Sequence, residues 1–234
     1  MNRLSIALLA LTLSFPAAAT ADDYSEIVAL AFAAIDNEFD REWAFTETST
    51  EEESTYVGRY DPREEDPWTL LSVDGREPTA DEARDWRSRK GDGRSDDDDD
   101  EEEESAEMRF VTPDSITLIE ESDEHWLFGF QPAAEDGDEK EIKFMRHVEG
   151  RLRVVKDGHY VESLDLRNTR PIKPAFSVRI NTFVTTLTFG PAAEDGPIVP
   201  LTVDVHVQGR AMLAVRFDET EAVRFTDYEY AGVE

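Results

Sequence analysis

Residues 201–217 constrain this chain more than any other stretch. Leu201, Val203, Val205, Val207, Ala211, Leu213, Val215 and Phe217 take every odd position but Gly209, and polar residues take most of the even ones. Successive side chains of a strand point to opposite faces, so this stretch reads as a ribbon with one apolar face and one wet face. Alternating segments recur from residue 141 to residue 230, and together they read as an antiparallel sheet.

Within that span, strands are predicted at 141–148, 151–156 and 160–168, joined by the hairpin signals Glu149-Gly150 and Asp157-Gly158. Links this short make antiparallel neighbours, giving a meander. Arg170-Pro171-Ile172-Lys173-Pro174 reads as a rigid connector, because two prolines fix backbone angles and withhold amide donors. Phe176, Val178 and Ile180 then alternate in one parity, and Phe183, Leu187 and Phe189 in the other. A bulge near Asn181-Thr182 repairs the mismatch and bends the strand, as in sheets that curl toward a barrel. Gly209-Arg210 marks a bulge or a tight hairpin, and Asp218-Glu219 reads as a turn into a last strand over 223–230.

Upstream, extended segments are predicted at 43–50, 54–60, 109–111, 115–120 and 125–130, the last carrying Trp126, Phe128 and Phe130 on one face. Two stretches have helical spacing instead. Residues 24–39 place Ile27, Val28, Ala31, Phe32 and Ile35 on one stripe, with Phe39 a turn on. Asp74-Gly75 signals a turn, and Thr79 with Glu82 forms a capping box that opens a helix over 80–90 with Trp86 on its buried side. The expected fold class is therefore α+β, mostly β: a curved antiparallel sheet, an incomplete β-barrel, covered by one or two amphipathic helices.

Residues 1–21 carry a positive start, a short apolar run and an Ala-Thr-Ala site, the pattern of a cleavable secretory signal peptide. Residues 22–234 then form one expected β-rich domain, interrupted by a disordered acidic loop at about 91–107. No cysteine is present, which excludes disulfides, thiol chemistry and a lipid-modified cysteine. The net charge is −30, nine charges of it in the run 96–104. Such an acidic surface is expected to repel nucleic acid and anionic membranes. It also fits a salty habitat, since at ~1 M salt the screening length falls to about 3 Å.

Catalytic signatures are absent from the sequence. His125, His147, His159 and His206 stand singly, without metal-ligand spacing, and there is no nucleophile elbow or phosphate-binding glycine motif. The 54 acidic residues supply so many carboxylate pairs that none is distinguished. No catalytic residue, metal site or cofactor is expected, and the chain is read as non-enzymatic. Arg179, Arg210, Arg216 and Arg224 stand out in the strand region, as cross-strand partners of acids or as groups that orient an acidic ligand head.

The order of elements resembles the periplasmic lipoprotein-carrier class, the LolA, LolB and RseB-like proteins, whose incomplete barrel holds acyl chains under covering helices. The phrases Tyr56-Val57-Gly58-Arg59-Tyr60-Asp61-Pro62, Trp68-Thr69-Leu70-Leu71-Ser72-Val73-Asp74-Gly75-Arg76, Val207-Gln208-Gly209-Arg210-Ala211 and Phe225-Thr226-Asp227-Tyr228 look like uncharacterised exported proteins of Gram-negative bacteria. The acid-rich insertion after Lys90 departs from that pattern. The resemblance implies a periplasmic binding protein for a lipid or an acylated or otherwise apolar ligand, free of a transmembrane anchor once the signal is cleaved. Trp126, Phe128, Phe130, Phe144, Phe183, Leu187, Phe189, Leu213 and Val215 are the expected ligand-lining residues. The alternative is an envelope protein-interaction or structural module with a filled sheet interior, a protein partner and no ligand.

Overall fold

The structure is a computed structural model that describes residues 21–36, 39–51, 54–90, 111–133, 139–194, 196–212 and 215–232. The expected signal peptide and the acidic run 96–104 lie outside these residues. Among the described residues eleven strands form one antiparallel sheet: β1 (Trp43–Glu51), β2 (Ser54–Tyr60), β3 (Trp68–Val73), β4 (Thr117–Glu121), β5 (His125–Phe130), β6 (Val148–Val155), β7 (Tyr160–Asn168), β8 (Ile172–Ala175), β9 (Val178–Pro191), β10 (Ile198–Ala211) and β11 (Val215–Tyr230). Their spatial order is β3-β2-β1-β11-β10-β9-β7-β6-β5-β4, with β8 also paired to β9. The sheet ends on β3 and β4 without joining them, so it is open and not a closed barrel. None of its helices is long and apolar enough to cross a membrane, among the described residues.

Helix α1 (Ala21–Ala33) covers one flank of the inner face. Val28, Ala31, Phe32 and, past the helix end, Ile35 are buried against Phe128, Leu152, Val154 and Leu164, the stripe that the helical spacing indicated. The helix stops six residues short of the expected end. Ile35 leaves it to bridge Ile198, and Phe39 opens a separate short helix, α2 (Phe39–Glu42), with its ring 5.4 Å from Phe45.

Helix α3 (Ala80–Lys90) covers the opposite flank of the same face. Asp74 and Gly75 take φ of 51° and 75°, the paired left-handed angles of a type I′ turn, which ends β3. The capping box forms as spelled: Glu82 accepts from Thr79 N at 2.8 Å, and Glu82 N donates to Thr79 Oγ1 at 3.3 Å. Trp86 is 2% exposed and lies over Gly58, where an added Cβ would come within 2.8 Å of the indole. At the helix end Lys90 Nζ meets Glu47 Oε1 at 2.5 Å, 5.0 Å from the ring centre of Trp68 and 4.8 Å from that of Trp86.

Several local expectations are corrected. Residues 141–148 do not form a strand: α4 (Glu139–Met145) occupies most of them and β6 begins at Val148. The segment is rich in Glu, Lys and Met, good helix formers, and this outweighs the short alternation of Ile142 and Phe144. Glu149-Gly150 is no turn. Gly150 sits inside β6 opposite Phe130, whose ring occupies the space a side chain would need, 2.2 Å from the ideal Cβ. Asp218-Glu219 is also within a strand, paired to Gln208 and Val207, and the reversal comes earlier, where Met212 has a φ of 49°. The connector's Ile172 is buried and pairs with Ile180, so the connector holds a short edge strand, with Pro171 just before it and Pro174 within it. Residue 111 makes a single bridge to Pro132, and the rest of the strand expected at 109–111 lies outside the described residues.

The parity switch in β9 has the expected cause. Gln208 pairs with Thr182 and Gly209 with Ile180, leaving Asn181 as the extra residue of a bulge. Asn168, the last residue of β7, closes it: its amide donates to Asn181 O at 3.0 Å and Arg170 O at 2.9 Å, and its Oδ1 accepts from Phe183 N at 2.7 Å.

Candidate functional site

The inner face of β9, β10 and β11 lies between the two helix-covered flanks. Register puts Leu187, Val203 and Val223 in one row, Thr185, Val205 and Glu221 in the next, then Phe183, Val207 and Glu219. All but the two glutamates are half-buried, whereas the flanks hold side chains with no exposure at all, such as Phe32 and Leu152. A cleft of about 470 Å³ opens here, with Val205 and Val207 on its floor, Ser54 and Tyr56 on one wall, and Glu51, Glu219 and Glu221 around it.

A second, larger cavity of about 730 Å³ lies where α4, β8 and the start of β9 meet. Lys143, His147, Arg170, Lys173 and Arg179 line it together with Phe144 and Phe176. Five basic side chains around one groove are unusual in a chain of net charge −30. Arg170 Nε donates to His147 Nδ1 at 3.1 Å. Thr169 N and Oγ1 donate to His147 O at 2.8 and 3.2 Å, and Asn168 fixes Arg170 O, so the groove wall is pinned to the bulge.

The two cavities are neighbours across a pair of rings. Phe183 pairs in register with Val207 of the first cleft, and its ring lies edge-on to that of Phe144, 5.2 Å between centroids, which lines the second. An apolar floor and two aromatic rings therefore follow one another along the inner face, and the cationic groove opens beside the rings, with Arg179, on the outer face by register, at its rim. Such a sequence of surfaces can hold a molecule that has a hydrocarbon part and an acidic part.

The expected lining residues separate into three groups. Phe128, Phe130 and Phe189 are buried in the core beneath α1, and Trp126 and Leu187 pack against it. Trp126 adds an indole hydrogen bond to Glu121 Oε1 at 3.2 Å and lies under Lys156 Nζ, 4.8 Å from its ring centre. Phe144 and Phe183 form the ring pair, and Leu187 is the one core-packed residue that also borders the open strip. Val215 is 59% exposed at a strand end, and Leu213 lies outside the described residues.

Of the four arginines singled out in the strands, Arg224 pairs with Asp204 at 3.2 Å as a cross-strand partner. Arg179, Arg210 and Arg216 instead face one another across β9, β10 and β11. Sequence reasoning missed Lys143, Arg170 and Lys173 as one group, and missed Asn168 as their support. The one signal for them was the basic, proline-framed connector in an otherwise acidic chain.

No group of three or more potential metal ligands occurs among the described residues. The pKa movements have structural causes away from these two cavities: burial raises the Tyr228 phenol, which donates to Pro200 O at 2.5 Å, and the Arg63 side chain holds Asp61 below its usual value.

The fold and cavities define an open antiparallel sheet, helix-covered on both flanks, with an apolar-to-cationic strip between them. Compared with protein-family models, with curated proteins and with solved structures, the chain matches none.

Proposed function

We propose that this is an exported, non-enzymatic binding protein that holds a lipid or acylated ligand on the inner face of β9–β11, with the ligand's acidic head in the cationic groove. The observation that carries this reading is the contact of Phe144 with Phe183, which joins the valine floor to Lys143, Arg170 and Lys173. Each buried methylene of the ligand contributes about 0.8 kcal/mol, so a chain lying over Val205, Val207 and Phe183 supplies most of the affinity. The groove's charge sets which head is accepted. This is the type of ligand that the resemblance to lipoprotein carriers implies.

Native mass spectrometry on protein purified without detergent from its own compartment tests the proposal. The expected result is a population carrying a lipid-sized adduct, lost in a Val207→Glu variant whose melting temperature stays close to that of the parent. A clean apo mass in the parent overturns it. The second reading, an interaction module with no ligand, draws support from the α1 flank, where Phe128 and Leu152 are fully buried in a filled core. It predicts that apo mass together with a co-purifying protein partner.

A further inference from the structure

One end of the sheet has a surface unlike the rest of this acidic chain. Arg210 pairs directly with Arg179 on β9 and with Arg216 on β11, so three exposed arginines stand in a row on the outer face. Like charges placed opposite one another across strands are destabilising. Among the described residues nothing neutralises the row: Arg179 donates to Asn181 Oδ1 at 3.1 Å, an uncharged acceptor. Asp218, one pair further in on the same face, is taken by His206 Nε2 at 2.8 Å and Gln208 Nε2 at 2.9 Å. Arg170 and Lys173 add charge from the groove beside it.

Just beyond the row, two turns are tied together by Met212 N donating to Ser177 O at 2.8 Å. Phe176 is 105% exposed, Met212 78% and Val215 59%, the three most exposed large apolar side chains among the described residues. A cationic row with apolar tips at its end asks for a partner that is both anionic and apolar.

We propose that this end docks on an anionic phospholipid bilayer, with Phe176 and Met212 entering the headgroup level and Arg179, Arg210 and Arg216 meeting the phosphates. The chain's own acidic run, residues 96–104, has complementary charge but would leave Phe176 in water. A bilayer surface satisfies both features. The net charge of −30 repels every other approach to such a surface, so the contact is oriented and weakens as salt screens it. Phe176 and Arg179 also line the cationic groove, so the two sites adjoin, and binding to vesicles is read by sedimentation separately from any adduct in the mass spectrum.

The test is co-sedimentation of the full chain with vesicles of phosphatidylcholine alone and with phosphatidylglycerol added. Preference for the anionic vesicles by about tenfold or more at low salt is expected, shrinking as salt rises. Phe176→Ser and the triple variant Arg179→Ser, Arg210→Ser, Arg216→Ser each lose that preference without a fall in melting temperature. Arg224→Ser, on the same face but paired with Asp204, keeps it. Equal binding to both vesicles, or a preference that survives in the Phe176 and triple variants, overturns the proposal. So does a preference that emerges only after deletion of residues 96–104, which would assign this end to the chain's own acidic run.

Discussion

Helix α1 and helix α3 cover the same face of one sheet at opposite flanks, and they are held by different chemistry. Under α1 lie Val28, Ala31 and Phe32, closed against Phe128 and Leu152 with no polar partner needed. Under α3 lies one indole, Trp86, while Lys90 bridges to Glu47 between two aromatic rings and Arg89 stacks near Tyr56 and Trp86. Apolar burial is non-directional and scales with area, so a helix with a full stripe is secured by shape alone. A helix as polar as α3 has little area to bury, and it is fixed by directional contacts at its two ends.

That contrast is broken most forcefully at α1. Phe32→Ala removes a fully buried ring and is expected to cost about 3–5 kcal/mol in urea unfolding; a loss below ~1 kcal/mol would mean the flank is not close-packed. Lys90→Ala is expected to cost about 1–2 kcal/mol, since the lysine is partly exposed and its loss leaves the Glu47 carboxylate buried without its cation. Lys90→Arg should recover part of it, and equal stability of all three would remove the clamp from the account. Thr79→Ala deletes one half of the capping box and is expected to cost about 1 kcal/mol, visible as a shift of the urea midpoint with unchanged slope.

The smallest effect is a pH response confined to α3. Glu82 accepts from Arg76 and from Thr79, and these contacts lower its pKa from the ordinary 4.5 to about 2. A depressed carboxylate stabilises fully above the ordinary value, and the contribution is lost as pH falls through the folded value. Between pH 4.5 and 2 the start of α3 should loosen progressively, read by amide exchange at Thr79 and Glu82. Matching loss of protection in α1 over the same range would mean that the two flanks are not independently held.

Much of this contrast was legible in the sequence, because its signals are local and carry their own geometry. The α1 stripe, the Thr79–Glu82 box and the parity switch at Asn181 each follow from residue spacing within a few positions. Signals with two structural meanings failed. Glu149-Gly150 resembles a hairpin turn, and only the ring of Phe130, brought in by another strand, shows that the glycine is needed inside β6. The true reversal at Met212 has no glycine or proline at that residue to announce it. The cationic groove was illegible for a different reason: its residues come from α4, the connector and β9, and they meet only because β8 folds back onto β9 beside the bulge.

The pairing of β1 with β11 has a consequence in time. Trp43 lies opposite Tyr230, so an early strand of the chain is completed by its last one. Until residues near the carboxy terminus are available, β1, β2, β3 and α3 have no hydrogen-bonded route to the other strands, and one flank waits unattached. Contacts of such long sequence separation slow folding. A polypeptide released from one end to the other therefore stays divided until its final segment arrives, and any truncation before Val215 leaves two halves with no seam between them.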